Sequence, residues 1–255
     1  MKLKALAISG AAIFAASTAM AGPVMMEEPV EIMEEEDWFS GSISTGYDTE
    51  YYFRGDWLGD KPIWTGIDLA FALPGGFEFA PGLWYINPTE TGGQTDELDI
   101  YATLSNEIYG IGYGIGYAMY TYPEASISPD NEGSIFLGYT LFDLIDLSAA
   151  LYYGEVGTAN NDYTYGEFGI GTGYDLGLVA LSLSYTYGDL LDGGDRSATN
   201  ASLGDTNHNV TFGVDIPITE TATVSAYVAY IVSNGIEDSS EDDTVVGGVS
   251  LSVGF

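Results

Sequence analysis

Thr244-Val245-Val246-Gly247-Gly248-Val249-Ser250-Leu251-Ser252-Val253-Gly254-Phe255 decides the fold. Val245, Val249, Leu251, Val253 and Phe255 share one face, and Thr244, Gly248, Ser250, Ser252 and Gly254 share the other, with Val246 the one exception. A period of two is a strand period. A strand that is apolar on one side, small or polar on the other, and closed by an aromatic suits a wall with lipid outside and water inside.

The same pattern recurs along the chain. From Gly41 onward there are twelve alternating stretches, at 42–54, 63–73, 77–87, 96–106, 109–122, 132–141, 145–155, 163–175, 178–188, 207–217, 221–233 and 243–255. Most have the length that a tilted strand needs to cross a bilayer. Connectors after the even-numbered stretches are short: Pro74-Gly75-Gly76, Glu107-Ile108, Phe142-Asp143-Leu144, Leu176-Gly177 and Ile218-Thr219-Glu220. Those after the odd-numbered stretches are longer and polar, at 55–62, 88–95, 123–131, 156–162, 189–206 and 234–242. Short turns on one rim and long loops on the other predict an all-β, antiparallel up-and-down transmembrane barrel of twelve strands, with its N-terminus on the short-turn side. An even strand count lets the first and last strands pair and leaves no edge. A soluble sandwich would expose a charged face. Here the second face is small and rich in glycine, as in Gly110, Gly112, Gly114, Gly116 and Ala118 of the fifth stretch.

The N-terminus fits export. Lys2 and Lys4 precede an apolar run from Ala5 to Ala16, and Ala19-Met20-Ala21 offers a cleavage site, so residues 1–21 are expected to be a cleaved signal peptide. Residues 22–40 carry Glu27, Glu28, Glu31, Glu34, Glu35, Glu36 and Asp37 and are expected to be an acidic periplasmic tail, with the barrel over 41–255. Removal of the signal would leave Arg54, Lys61 and Arg196 as the cations against 38 acidic residues. Such a chain repels nucleic acid. It has no cysteine, hence no disulfide or thiolate metal site.

Chemistry in the loops and on the rim is sparse. His208 is the single histidine, and its neighbours Asn207, Asn209, Val210 and Thr211 supply no adjacent serine for a hydrolase, so no catalytic residues are assigned. The acidic runs Asp189, Asp192, Asp195 and Glu237, Asp238, Glu241, Asp242, Asp243 lack calcium-loop spacing, and no metal or other cofactor is assigned. Bridging of these loops to lipopolysaccharide by divalent cations is the sharper alternative to a solvated rim.

The inward face is more informative. Alternation turns Asp48, Glu50, Asp68, Glu78, Glu97, Asp99, Glu167 and Asp215 inward, against one inward cation, Arg54. Carboxylates lining a low-dielectric passage favour cations. Arg54 is expected to end in an ion pair near the outer rim that anchors the first loop. The inward aromatics Tyr52, Trp64, Trp84, Tyr101, Tyr120 and Tyr122, with Tyr152 and Tyr165, lie toward the long loops, whereas inward residues near the short turns are small. The lumen is therefore expected to be wide below and constricted near the outer rim.

Asp48-Thr49-Glu50-Tyr51-Tyr52-Phe53-Arg54-Gly55, then Lys61-Pro62 and Gly66-Ile67-Asp68, resembles the opening of the TorF-type porin family of bacterial outer-membrane β-barrels. Glu97-Leu98-Asp99-Ile100-Tyr101 and Tyr120-Thr121-Tyr122-Pro123 extend the likeness, whose strand order runs from Gly41 to Phe255. Where the family carries a Ser/Thr-Gln pair after Arg-Gly, this chain has Gly55-Asp56-Trp57-Leu58-Gly59-Asp60. The resemblance implies an outer-membrane barrel and a pore, and no particular solute.

Two functions follow as expectations. The first is a Gram-negative outer-membrane channel for small hydrophilic solutes, surrounded by lipid and lipopolysaccharide and preferring cations. The second is a non-conducting structural or adhesive barrel that acts through its acidic outer loops.

Overall fold

A computed structural model describes residues 38–90, 96–125, 128–156, 161–193, 206–233 and 243–255. The expected signal peptide, and all of the acidic tail before Trp38, lie outside the described residues. Among the described residues every regular element is a strand: β1 Phe39–Asp48, β2 Glu50–Phe53, β3 Asp56–Leu73, β4 Phe77–Glu90, β5 Glu97–Ile108, β6 Ile111–Thr121 and β7 Asp130–Leu141. Then come β8 Ile145–Val156, β9 Asn161–Asp175, β10 Ala180–Gly193, β11 Thr206–Pro217, β12 Ala222–Ser233 and β13 Asp243–Gly254.

Each strand from β3 to β13 pairs antiparallel with the next, and β1 pairs with both β3 and β13. Ser42 sits opposite Gly254 and Asp48 opposite Gly248, so the C-terminal strand closes a cylinder on the first. The wall is thus a closed antiparallel barrel of twelve strands. β2 is no thirteenth member of it, because it pairs only with the upper part of β3. Closure satisfies every ladder group from within the wall, which lipid requires.

The outward face is the apolar one. Ile43, Ile67, Leu83, Ile115, Ile135, Leu151, Leu183, Val228, Val249 and Leu251 are all exposed. Rings bracket this band. On the short-turn side Phe39 packs on Phe71 and Phe255 at centroid distances of 5.1 and 6.2 Å, across the seam where the barrel closes. On the other rim the outward tyrosines Tyr117, Tyr153 and Tyr230 donate to Asn131, Asp162 and Asp243 at 2.7, 2.7 and 2.5 Å. Amphipathic rings with wet hydroxyls belong at such interfaces.

Several boundaries differ from the sequence expectation. The first strand starts at Phe39, ahead of the expected barrel start. The fourth and fifth wall strands, β5 and β6, meet at Tyr109-Gly110, not at Glu107-Ile108, because both turn residues adopt positive φ (55° and 77°). That is the two-residue hairpin geometry whose twist matches the strands. The largest departure is at 55–62, expected to be a long polar loop. β3 already begins at Asp56, and Arg54-Gly55 is a tight turn with φ of 51° and 89°. Residues 50–60 therefore form a β-hairpin continuous with β1 and β3.

Candidate functional site

That hairpin does not continue the wall. Tyr51 packs inside the barrel with Trp64, Trp84 and Ile86, while its neighbour Tyr52 packs with Tyr227, Ala229, Ile231 and Val246 of β12 and β13. At the tip, a Cβ on Gly55 would press on Asn207 and Ser233, residues of β11 and β12. One short ribbon thus touches the inner wall on both sides of β1, the strand that carries it. It bends inward where Thr49 interrupts the strand and where Lys61 takes a φ of 50°, the Lys61 amide donating to the Thr49 carbonyl at 3.0 Å. Both faces of the ribbon are consequently enclosed. Tyr51, which lies between Glu50 and Tyr52 of the inward set and so falls on the lipid side by alternation, is instead buried, because above Thr49 alternation no longer separates lipid from lumen. Val246, the exception in the last strand, is fully buried against Tyr52.

Arg54 carries the tip to the far wall. Its two terminal nitrogens donate to the two carboxylate oxygens of Glu132 on β7 at 2.6 and 2.9 Å. Its guanidinium lies 4.3 Å from the ring centre of Tyr152, 4.4 Å from Tyr165 and 4.7 Å from Phe53. Tyr120 and Tyr163 add hydroxyl contacts to Glu132 at 3.2 and 2.5 Å. A buried ion pair with each oxygen and both forks engaged, between stacked rings, is the geometry in which Arg is held most firmly. Glu132 was not among the expected inward acids. It opens the sixth alternating stretch, 132–141, directly after the polar loop that ends at residue 131; its parity with Ser134 and Gly138 was the available signal.

The remaining acids fall into two groups. Glu97 and Asp99 are buried beside the hairpin, with the Tyr51 hydroxyl donating to Glu97 at 2.9 Å. Asp99 faces Trp84 on one neighbouring strand and Tyr120 on the other, and neither of its buried oxygens has a hydrogen-bond partner. Glu167 on β9 feels the charges of Arg54 and Glu132, and Glu50 is half-buried on β2. Asp48 accepts from Tyr227 at 2.9 Å. Lower in the barrel stand Asp68, which accepts from the Tyr101 hydroxyl, half-buried Glu78, and Asp215 opposite Ser225. Asp146, bonded by Thr140 at 2.7 Å, joins this lower group and was not anticipated. Tyr122 donates to Asp130 at 2.8 Å at the outer end.

Trp64, Trp84, Tyr120, Tyr152 and Tyr165 are buried in the outer part of the interior, whereas Ser44, Ser105, Ser225 and Ser250 line the lower part. Glycine seats these rings against the wall: a Cβ on Gly46 would lie 2.4 Å from the Trp64 indole, and one on Gly188 would collide with the Tyr165 hydroxyl. His208 faces outward and shares a 2.8 Å hydrogen bond with Tyr185, whose ring it stacks on, while the Tyr187 ring lies tilted against it.

Comparison with solved structures places this architecture. The NanC porin superposes with a TM-score of 0.53 at 8% identity, covering 84% of this chain and 98% of that one. An outer membrane channel from Pseudomonas putida F1 gives 0.53 at 9% identity, over 87% and 99%. The translocator domain of the autotransporter NalP from Neisseria meningitidis gives 0.52 at 13% identity, over 87% and 90%. The fold is that of an outer-membrane β-barrel. No protein-family profile and no curated protein sequence matches the chain.

Proposed function

We propose that the protein is a channel of the bacterial outer membrane that passes small hydrophilic solutes by diffusion, prefers cations and performs no catalysis. Membership of the TorF-type porin family is part of the same reading, supported by the residues at 48–55 and 97–101. One observation carries it. A closed wall with a lipid-facing exterior encloses many carboxylates and, among the described residues, one arginine, which is already paired with Glu132. The net field of the passage is then negative. The hairpin sets the narrowest level, since it crosses the outer mouth between the two groups of rings.

A planar bilayer holding the purified protein under a salt gradient tests this. The expected result is discrete conductance steps with a reversal potential on the cation side. An anion-side potential would overturn the preference. The same hairpin favours a second reading, a non-conducting structural or adhesive barrel, because it fills the mouth; a silent membrane would support that one. Lipid and lipopolysaccharide are the partners proposed for the outer band and rim in either case.

A further inference from the structure

The pocket that receives Arg54 is built like a receptor. Two oxygens of Glu132 meet the two terminal nitrogens, two tyrosine rings lie over the guanidinium plane, and the Tyr163 hydroxyl sits 3.4 Å from one nitrogen. A flat, doubly forked cation matches that arrangement, and an ammonium does not. Apart from Phe53, every one of these groups belongs to the wall strands β7, β8 and β9, so the pocket does not depend on the hairpin for its shape. The fit of the present occupant is incomplete, because Arg54 Nε is buried without an acceptor. Nearby, Asp99 sits opposite Tyr120 and keeps two buried oxygens without a hydrogen-bond partner among the described residues.

We propose that the wall pocket of Glu132, Tyr152, Tyr163 and Tyr165 is a binding site for guanidinium-bearing solutes, and that Arg54 is a tethered stand-in which such a solute displaces on entering. The displacement on entry rests on the channel reading, whereas binding does not. A tethered competitor acts at an effective concentration in the millimolar range, so it weakens the apparent affinity of a free solute by the ratio of that concentration to its own dissociation constant for the pocket. Removing the tethered arginine should therefore uncover the pocket.

The test is calorimetric titration of L-arginine amide into the full chain in detergent micelles, with L-lysine amide for comparison. Arg54→Ala is expected to bind arginine amide at least about tenfold more tightly than the unsubstituted protein and to discriminate against lysine amide. Adding Glu132→Gln to Arg54→Ala should abolish the binding. Arg54→Lys, which keeps the charge but loses the fork, should fall between and serves if the alanine variant misfolds. Equal affinity of Arg54→Ala and the double variant, or no gain over the unsubstituted protein in a barrel with intact circular dichroism, would overturn the proposal. Binding in a protein that carries no bilayer current would remove the channel reading and leave the pocket standing. Current without binding would do the reverse.

Discussion

Glu132→Gln should release the hairpin, and the size of the effect follows from burial. Arg54 and Glu132 have side chains 3% and 1% exposed. Removing one member of such a pair costs about 3–5 kcal/mol, because the other charge is left buried and alone. Arginine cannot escape by losing its proton. The hairpin can, however, carry it out to water, so the cost reappears as a shift toward an open hairpin. Glutamine still accepts one hydrogen bond, which sets the value near the lower bound. About 3 kcal/mol corresponds to a population ratio changed roughly a hundredfold. Trypsin reads this directly. In the closed state Arg54 is buried, and the other basic residue of the hairpin, Lys61, precedes Pro62, which trypsin does not cut. Cleavage between Arg54 and Gly55 then reports the open population when opening is fast compared with cleavage. The expected outcome is a cut after Arg54 about a hundredfold faster in Glu132→Gln, in a barrel whose strand content is unchanged. A rate within about threefold of the unsubstituted protein would refute the claim that this ion pair holds the hairpin.

Further outcomes are expected at the rings and their seats. Trp64→Ala and Tyr120→Ala each remove a buried ring from the constricted level and should raise single-channel conductance; unchanged conductance in both would place the narrowest point elsewhere. Gly188→Ala drives a methyl into the Tyr165 hydroxyl and should cost about 1–3 kcal/mol in thermal stability and speed the same tryptic cut. Gly133→Ala, which has nothing within 4 Å of the new Cβ, is the matched control and should melt as the parent does.

The wall was legible because lipid imposes a simple rule. Ile111, Tyr113, Ile115 and Tyr117 alternate with Gly112, Gly114 and Gly116 over the full height of β6, and the sorting of loops by length fixed which way each strand runs. The hairpin was not legible by that rule. Tyr51, Tyr52 and Phe53 are consecutive aromatics, a run that alternation cannot explain and that enclosure of both faces does. Val246 gave the same signal from β13, the strand next to the one that bears the hairpin. Arg54 could be placed inward from its parity, but its partner could not be named, since Glu132 lies 78 residues away and only the bend at Thr49 and Lys61 brings the tip to β7. The glycines that seat rings, Gly46 for Trp64 and Gly188 for Tyr165, carry no mark of that role in the sequence. Their partnership appears once the register is known.

The joint at Thr49 and Lys61 has a consequence for how such a protein changes over time. Below it, β1 is zipped to β3 as far as Tyr47 and Ile63, and above it the ribbon carries its own rungs, from Glu50 and Asp60 to Phe53 and Asp56. Swinging the ribbon leaves the cylinder's seam untouched. Substitutions at the tip can therefore reshape the mouth without disturbing the seam that closes the wall, so mouth and wall are free to evolve on separate parts of one strand pair.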